Sequence, residues 1–441
     1  MTHRVREPGK FRGLCGIALM TVLSVTAPVA FTATAAQAPP DAATKPQTNA
    51  VITWNLYAQI AVYEVARQSP SAAARSFAIV QGAVYDAVNA IAGTPYKPYL
   101  ITPRSRPGDS TPAAVATSAY RALAWLFPAQ ADSLRTQYEE SLAAIPDGPS
   151  ERGGIAVGLA TATAMINARR NDGAFSNATW PVGAAPGQWR PTPPGFLQVG
   201  AWFATLKPFV IDLGHYRTPG PPALSSAAYA RDLNEVKALG SATSTTRTSD
   251  QTEAAIWWDD PRLVEWSIKR QLATTHRLGT LQTARMFAMV DLATADALIA
   301  CYQEKKHWSF WRPVTAIPLA DTDGNPATDA DPAWTPLRIT APSPEYPSGH
   351  TCDTAATTTA LRKFFGRDDL SFSAHSTDSG TTRYYHSLSQ AMAELNQARI
   401  WAGVHYRFAS KDGHRLGTTV ARDVLNHAFG PAATDPKRPG E

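Results

Sequence analysis

The sequence predicts an all-α protein of helical bundles joined by long proline-rich loops. Apolar residues recur at helical spacing, as at Phe77, Val80, Val84 and Val88. Alanine, the strongest helix former, is abundant in most of the periodic segments. Alternating runs of β-branched and aromatic residues, the mark of strands, are scarce. Many of the 35 prolines stand between the helical segments.

The chain opens with Arg4, Arg6, Lys10 and Arg12, followed by an uncharged, largely apolar run from Leu14 to Phe31 and then by small residues. That is the layout of a secretory signal peptide over 1–38, with Ala36-Gln37-Ala38 as one cleavage site. Gly16 and Pro28 break the apolar run, which argues against a retained membrane span. The expected location is therefore secreted or periplasmic. Cleavage takes away four basic residues and Glu7, leaving 37 basic and 35 acidic residues and lowering the formal charge from +5 to +2. So balanced a surface offers no broad electrostatic footprint for nucleic acid or anionic lipid. No later apolar run approaches the ~20 residues that a membrane span needs.

Helices are expected over 53–67, 74–92, 112–126, 130–144, 151–169, 225–239, 263–277, 282–304, 351–365, 387–401 and 413–428. They divide into an N-terminal helical region, 39–280, and a C-terminal catalytic region, 281–430. Two irregular excursions interrupt them. One runs from 178 to 222 and holds nine prolines, and the other runs from 313 to 347. The acidic loop 321–331 lacks the EF-hand pattern, since its glycine falls at position four and Pro332 at position twelve. It reads as a solvated loop. Beyond the leader only Cys301 and Cys352 remain, either as a disulfide closing a loop of about 50 residues or as two buried thiols.

Three segments in the last third carry the chemistry. In "KKHWSFWRP", Lys305 and Arg312 are seven residues apart, about two helical turns, and Pro313 suggests a helix end at Arg312. In "PSGH", Ser348 is suited to cap the following helix, with its hydroxyl and the Gly349 amide facing any anion at that helix start. In "ARIWAGVH", Arg399 and His405 are six apart and cannot share a helical face, so a helix end near Trp401 and a turn at Gly403 must bring His405 back. Each segment alone is ordinary: a solvated stripe, a cap and a helix end. Together they supply three fixed cations, a hydroxyl, a backbone amide and two histidines, which is the equipment for a tetrahedral oxyanion.

The three motifs, K-x6-RP, PSGH and R-x5-H in that order, resemble the signature of the vanadium-dependent haloperoxidase and type 2 phosphatidic acid phosphatase superfamily. The stretches "AARSFAIVQGAVYDAVNAI" and "ARMFAMVDLATADALIACYQEKKHWSFWRPVTAI" resemble its soluble bacterial haloperoxidase-like branch, so the likeness covers roughly 50–430. The resemblance implies a fold of helical bundles. It also implies that Lys305, Arg312, Ser348, Gly349 and Arg399 bind the oxygens of vanadate or phosphate. His405 would be the vanadium ligand, or the nucleophile of a phosphatase, and His350 the acid–base group. Ala398 departs from the serine found there in many members.

The implied activity is an exported haloperoxidase with vanadate as cofactor and hydrogen peroxide and halide as substrates. The alternative is a secreted acid phosphatase that acts on phosphate esters with no cofactor. The same resemblance sets Cys301 and Cys352 close together beside the anion site, which favours a disulfide. Asp291 and Asp296, on the helix leading to Lys305, read either as partners of a site cation or as surface or capping acids. Asp353, one turn beyond His350, reads as a tuning carboxylate or an ordinary first-turn acid. His307, Trp308, Phe310 and Trp311 read as core packing or as pocket wall.

Overall fold

The computed structural model describes residues 49–259 and 267–432. The leader expected over 1–38, and the beginning of the helix expected over 263–277, lie outside them. Thirteen α-helices are found among the described residues: α1 (Ala50–Gln59), α2 (Pro70–Ile91), α3 (Thr111–Leu126), α4 (Ala131–Ala143), α5 (Pro149–Arg169), α6 (Ala227–Gly240), α7 (Ser249–Trp257), α8 (Ile268–Thr275), α9 (Thr280–Trp308), α10 (Pro313–Ala316), α11 (Gly349–Phe365), α12 (Leu388–Trp401) and α13 (Arg407–His427). The all-α expectation holds.

Local chemistry accounts for several boundaries. Asn49, Ser110, Ser226 and Ser387 cap α1, α3, α6 and α12 through side-chain oxygens that accept backbone N–H groups. Pro70, Pro112 and Pro149 stand in the first turns of α2, α3 and α5, where a missing N–H costs nothing. Sequence patterning missed α7, although Thr248 and Gln251 form a capping box at its start. It also missed a hairpin of β1 (Phe372–His375) and β2 (Thr382–Tyr385), which pair antiparallel with Phe372 opposite Tyr385. Four-residue strands are too short to display alternation. The helix expected over 53–67 gives way to a π-helical stretch, Ile60–Val65.

The long helices α2 and α9 form the spine. Both are buried along nearly their whole length, α2 from Ser71 to Ala90 and α9 from Thr283 to Cys301 with few breaks. Their alanine content allows close approach and leaves no polar face to solvate. Helix α2 packs on α3, α5 and α9, and α9 packs in turn on α11 and α13. A continuous apolar core runs through these helices. A second, aromatic core holds Tyr229, Phe310, Trp311, Tyr346, Tyr406 and Phe408, directly beside the loops that carry the three sequence motifs.

Helix α9 also pins the excursion 178–222. The Asp296 carboxylate accepts the backbone N–H groups of Phe209 (2.6 Å), Val210 (2.9 Å) and Ile211 (3.2 Å). Glu304 accepts Thr218 N at 2.8 Å and the Thr218 hydroxyl at 2.6 Å. A proline-rich loop has few internal hydrogen bonds of its own, so buried carboxylates order it.

Helix α13 crosses α11 at glycines. A Cβ at Gly417 would run into the Cys352 carbonyl oxygen, and one at Gly413 into the Ser348 carbonyl oxygen. Gly417→Ala must push α13 off the start of α11. We expect it to cost about 1–3 kcal/mol, the usual cost of overpacking, read as a lower midpoint in thermal or urea unfolding. An unchanged midpoint would mean that the crossing has slack.

Candidate active site

Four helix ends converge. Lys305 lies in the last turn of α9, Ser348, Gly349 and His350 begin α11, Arg399 lies in the last turn of α12, and His405 precedes α13. Basic residues at the C-terminal ends of α9 and α12 and an anion-seeking N-terminus at α11 are each favoured by the helix dipole.

Lys305 and Arg312 do not share a helix as their spacing suggested. Helix α9 stops at Trp308, and Ser309 takes the left-handed conformation, φ 39°. The chain then runs extended, with Phe310 bridged to Gln188 and Trp311 N donating to Gly187 O at 3.0 Å. Arg312 becomes the N-cap position of α10. The turn after α12 follows the expected course. The helix ends at Trp401, Gly403 adopts φ 77°, and His405 is carried back towards Arg399.

Lys305, Arg312, Gly349, His350, Arg399 and His405 line one cavity of about 180 Å³, together with Asp259, Tyr302 and Ser343. Ser348, the seventh expected residue, is buried at the adjoining N-cap position. Its hydroxyl does not cap α11 and has no partner in the structure. The same holds for His350 Nε2 and Arg399 Nε, both buried. Buried polar atoms are nearly always satisfied, so three orphans around one cavity fit a ligand rich in acceptor oxygens. A larger cleft of about 680 Å³ has Arg104, Arg106 and Arg152 in its lining, but these are exposed to water and no histidine lines it.

The cations are held by carbonyl groups and carboxylates. Lys305 Nζ donates to Pro344 O (2.8 Å) and Glu345 O (3.0 Å). Arg312 donates to Ser343 O (2.9 Å), Ser343 Oγ (3.3 Å) and Val404 O (2.9 Å), and its Nη1 lies 3.1 Å from His405 Nε2. Arg399 Nη1 donates to Asp259 Oδ1 at 3.0 Å, and Arg338 takes the other oxygen at 2.8 Å. His405 Nδ1 and Tyr406 N meet Glu345 Oε1 at 2.9 Å and 3.0 Å.

Burial and mutual repulsion set the proton affinities. Burial, reinforced by Arg312, lowers Lys305 to about 8. Burial lowers Arg312 to about 10, against the pull of Glu345. Burial and then Arg399 hold His350 down to about 3, and His405 is pushed well below the ordinary imidazole value by burial and Arg312. Burial raises Glu345 to about 7 in spite of Arg312 and Lys305. Burial alone would raise Asp259 too, but Arg399 and Arg338 hold it below the usual carboxylate range. The site thus concentrates positive charge on lysine and arginine and keeps both histidines neutral near pH 7.

Several expectations need correction. Asp291 forms a buried ion pair with Lys269, and Asp296 serves the backbone of 209–211, so neither partners a site cation. Cys301 and Cys352 do lie together beside the site, but as free thiols, both 0% exposed. The two sulfurs approach as hydrogen-bonding partners, and burial raises the Cys352 thiol rather than favouring the reactive thiolate. Phe310 and Trp311 are core residues. Glu345, Asp259 and Ser343 were not anticipated. Glu345 had a visible signal, an acidic residue locked among prolines in "PSPEYPSGH"; Asp259, distant in sequence from every motif, had none.

Residues 285–432, about a third of the chain, match the model of the VCPO second helical-bundle domain. A stretch of 197 residues is 29% identical to vanadium chloroperoxidase of Curvularia inaequalis, covering 36% of this chain and 31% of that protein. The fold is similar to that of a bacterial vanadium-dependent iodoperoxidase (TM-score 0.73, 24% identity, 87% of this chain and 97% of that one). It is also similar to a bacterial vanadium-dependent chloroperoxidase in its holo form (TM-score 0.67, 18% identity, 83% and 94%).

Proposed function

The chain is related to the vanadium haloperoxidases, and from that premise we propose that it is an exported, vanadate-dependent peroxidase that oxidises halide with hydrogen peroxide. The observation that carries the reading is the convergence of Lys305, Arg312 and Arg399 with two neutral histidines on one small cavity, with the unpaired Ser348 hydroxyl adjoining it. A tetrahedral oxyanion fits that set. Lys305, Arg312 and Arg399 would balance its charge, Ser348 Oγ and the Gly349 amide would donate to its oxygens, and His405 would hold vanadium through Nε2. Vanadate supplies a Lewis-acidic centre that polarises peroxide towards attack by halide.

The protein's own part is positioning and proton handling. His350 is neutral at working pH, and its Nε2 is unpartnered, so it can take the proton of hydrogen peroxide. The same proton then goes to the oxygen that leaves as water, while the other oxygen is transferred to the halide. The three cations hold the anion without becoming reactants.

The deciding experiment loads the protein with orthovanadate and measures peroxide-dependent oxidation of bromide and iodide, beside p-nitrophenyl phosphate hydrolysis by the unloaded protein. Halide oxidation that needs both vanadate and peroxide supports the proposal. Phosphate release inhibited by vanadate, without halide oxidation, would assign a phosphatase instead. Signal-peptide cleavage is checked by N-terminal sequencing of the protein recovered from its producing cell.

The Lys305 value predicts the pH dependence of anion binding. Lys305 is cationic below about 8 and loses its charge as the pH rises. Inorganic phosphate should therefore bind about tenfold more weakly at about pH 9 than at about pH 7, by titration calorimetry. Affinity that stays level or rises over this range would remove Lys305 from the anion-binding set.

A further inference from the structure

Glu345 occupies a position that ordinary surface carboxylates do not. It is 0% exposed, lies between Pro344 and Pro347 in the loop leading to Ser348, and is anchored by its own N–H to Phe310 O at 2.9 Å. Its backbone carbonyl receives Lys305 Nζ, and its Oε1 meets His405 Nδ1 at 2.9 Å and Tyr406 N at 3.0 Å. One residue therefore touches two members of the anion site, through different groups.

Arg312 lies over the same imidazole, its Nη1 3.1 Å from His405 Nε2 and 3.5 Å from Nδ1. A guanidinium offers only donors, and the Glu345 oxygen that already receives Tyr406 N–H serves as an acceptor. A neutral imidazole has one N–H and one lone pair. The Glu345 contact asks for N–H at Nδ1, which leaves the lone pair at Nε2, the ring nitrogen nearer the Arg312 charge. Oε1 already accepts the Tyr406 N–H and Oε2 has no protein partner, so a proton on the Glu345 carboxyl is better placed on Oε2, leaving Oε1 an acceptor.

We infer that Glu345 is the positioning residue of His405, holding its ring in the Nδ1–H tautomer so that the Nε2 lone pair is presented to the oxyanion cavity. The Arg312 charge, nearer Nε2 than Nδ1, favours the same choice. The effect on vanadate rests on the reading of His405 as the ligand above; the tautomer itself does not. Carboxylate and carbonyl partners of this kind fix ring orientation and raise the basicity of the ligating nitrogen.

Two measurements test this on the full chain. In the first, ¹⁵N-histidine NMR of the unloaded protein at neutral pH assigns the His405 nitrogens by their loss in His405→Ala. A protonated Nδ1 and an unprotonated Nε2 are expected; an Nε2–H tautomer or an equal mixture overturns the inference using the wild-type protein alone. In the second, equilibrium binding of orthovanadate is compared for Glu345→Leu and Glu345→Gln. Leucine removes the acceptor, and we expect about 10–100-fold weaker binding with a mixed tautomer. Glutamine retains an acceptor oxygen for both N–H groups, and binding within a few-fold of wild type with the tautomer preserved is expected. A merely structural role would lower the unfolding temperature of the leucine variant without moving the tautomer, and that result rejects the assignment. If the leucine variant does not fold, the wild-type spectrum and the glutamine variant decide. If His405→Ala binds orthovanadate as tightly as wild type, the ligand role of His405 fails, while the tautomer result stands on its own.

Discussion

His405→Ala is expected to release vanadate during gel filtration and to lose peroxide-dependent bromide oxidation to background. The side chain brings a ring nitrogen, Nε2, to the cavity 3.1 Å from the Arg312 guanidinium. Alanine leaves the cations in place, so electrostatic attraction persists while the directional bond is gone. We expect vanadate affinity at least about a thousandfold weaker, roughly 4 kcal/mol. The loss also removes a partner of the buried Glu345 Oε1 and should lower the unfolding midpoint, since an under-satisfied buried group costs about 1–3 kcal/mol. Equilibrium dialysis of orthovanadate against both proteins gives the answer. Affinity within tenfold of wild type would mean that the cations alone hold the anion.

The second large effect is expected from a substitution that keeps the charge. Arg312→Lys retains a cation but cannot reproduce a planar fork that reaches Ser343 O, Ser343 Oγ and Val404 O while facing His405. A lysine ammonium can satisfy part of this set, so buried carbonyl groups lose donors and the loops 343–348 and 403–406 lose their common anchor. Removing one preorganised donor from a developing charge typically costs about 10²–10³ in rate. We expect kcat/KM for bromide oxidation to fall by that factor, with a lower melting temperature. The steady-state comparison must be made at saturating orthovanadate, so that weaker loading is not mistaken for slower chemistry. A variant that retains more than about a tenth of wild-type kcat/KM would show that charge, not geometry, is what Arg312 contributes.

The helices were legible because helical periodicity is a local property. The 282–304 expectation became Thr280–Trp308, and 387–401 became Leu388–Trp401. Lys305, Arg312, Ser348, Gly349, His350, Arg399 and His405 were equally legible as motifs, and Gly403 announced its turn by the steric permission that only glycine has at φ 77°. What misled was spacing read as geometry. A spacing of seven from Lys305 to Arg312 means one helical face only if the helix continues, and it ends at Trp308 because Ser309 turns left-handed and 309–311 find extended partners at 187–189. Asp291 lies on the right helix but about four turns before Lys305, where Lys269 claims it, and Asp296 lies on the opposite face, where the amides of 209–211 claim it.

The amino-acid sequence by itself determined the all-α class, the positions of most helices and the chemical inventory of the site, because propensity, capping and motif identity act over a few residues. The tertiary structure alone decided which groups meet. Asp259 reaches Arg399 across 140 positions of sequence, and Glu345 reaches His405 across 60. Neither pairing has a local cause. Each exists because four helix ends are packed into one place, where burial makes an unpaired charge or an unassigned imidazole N–H costly and leaves each only the partner that the packing supplies.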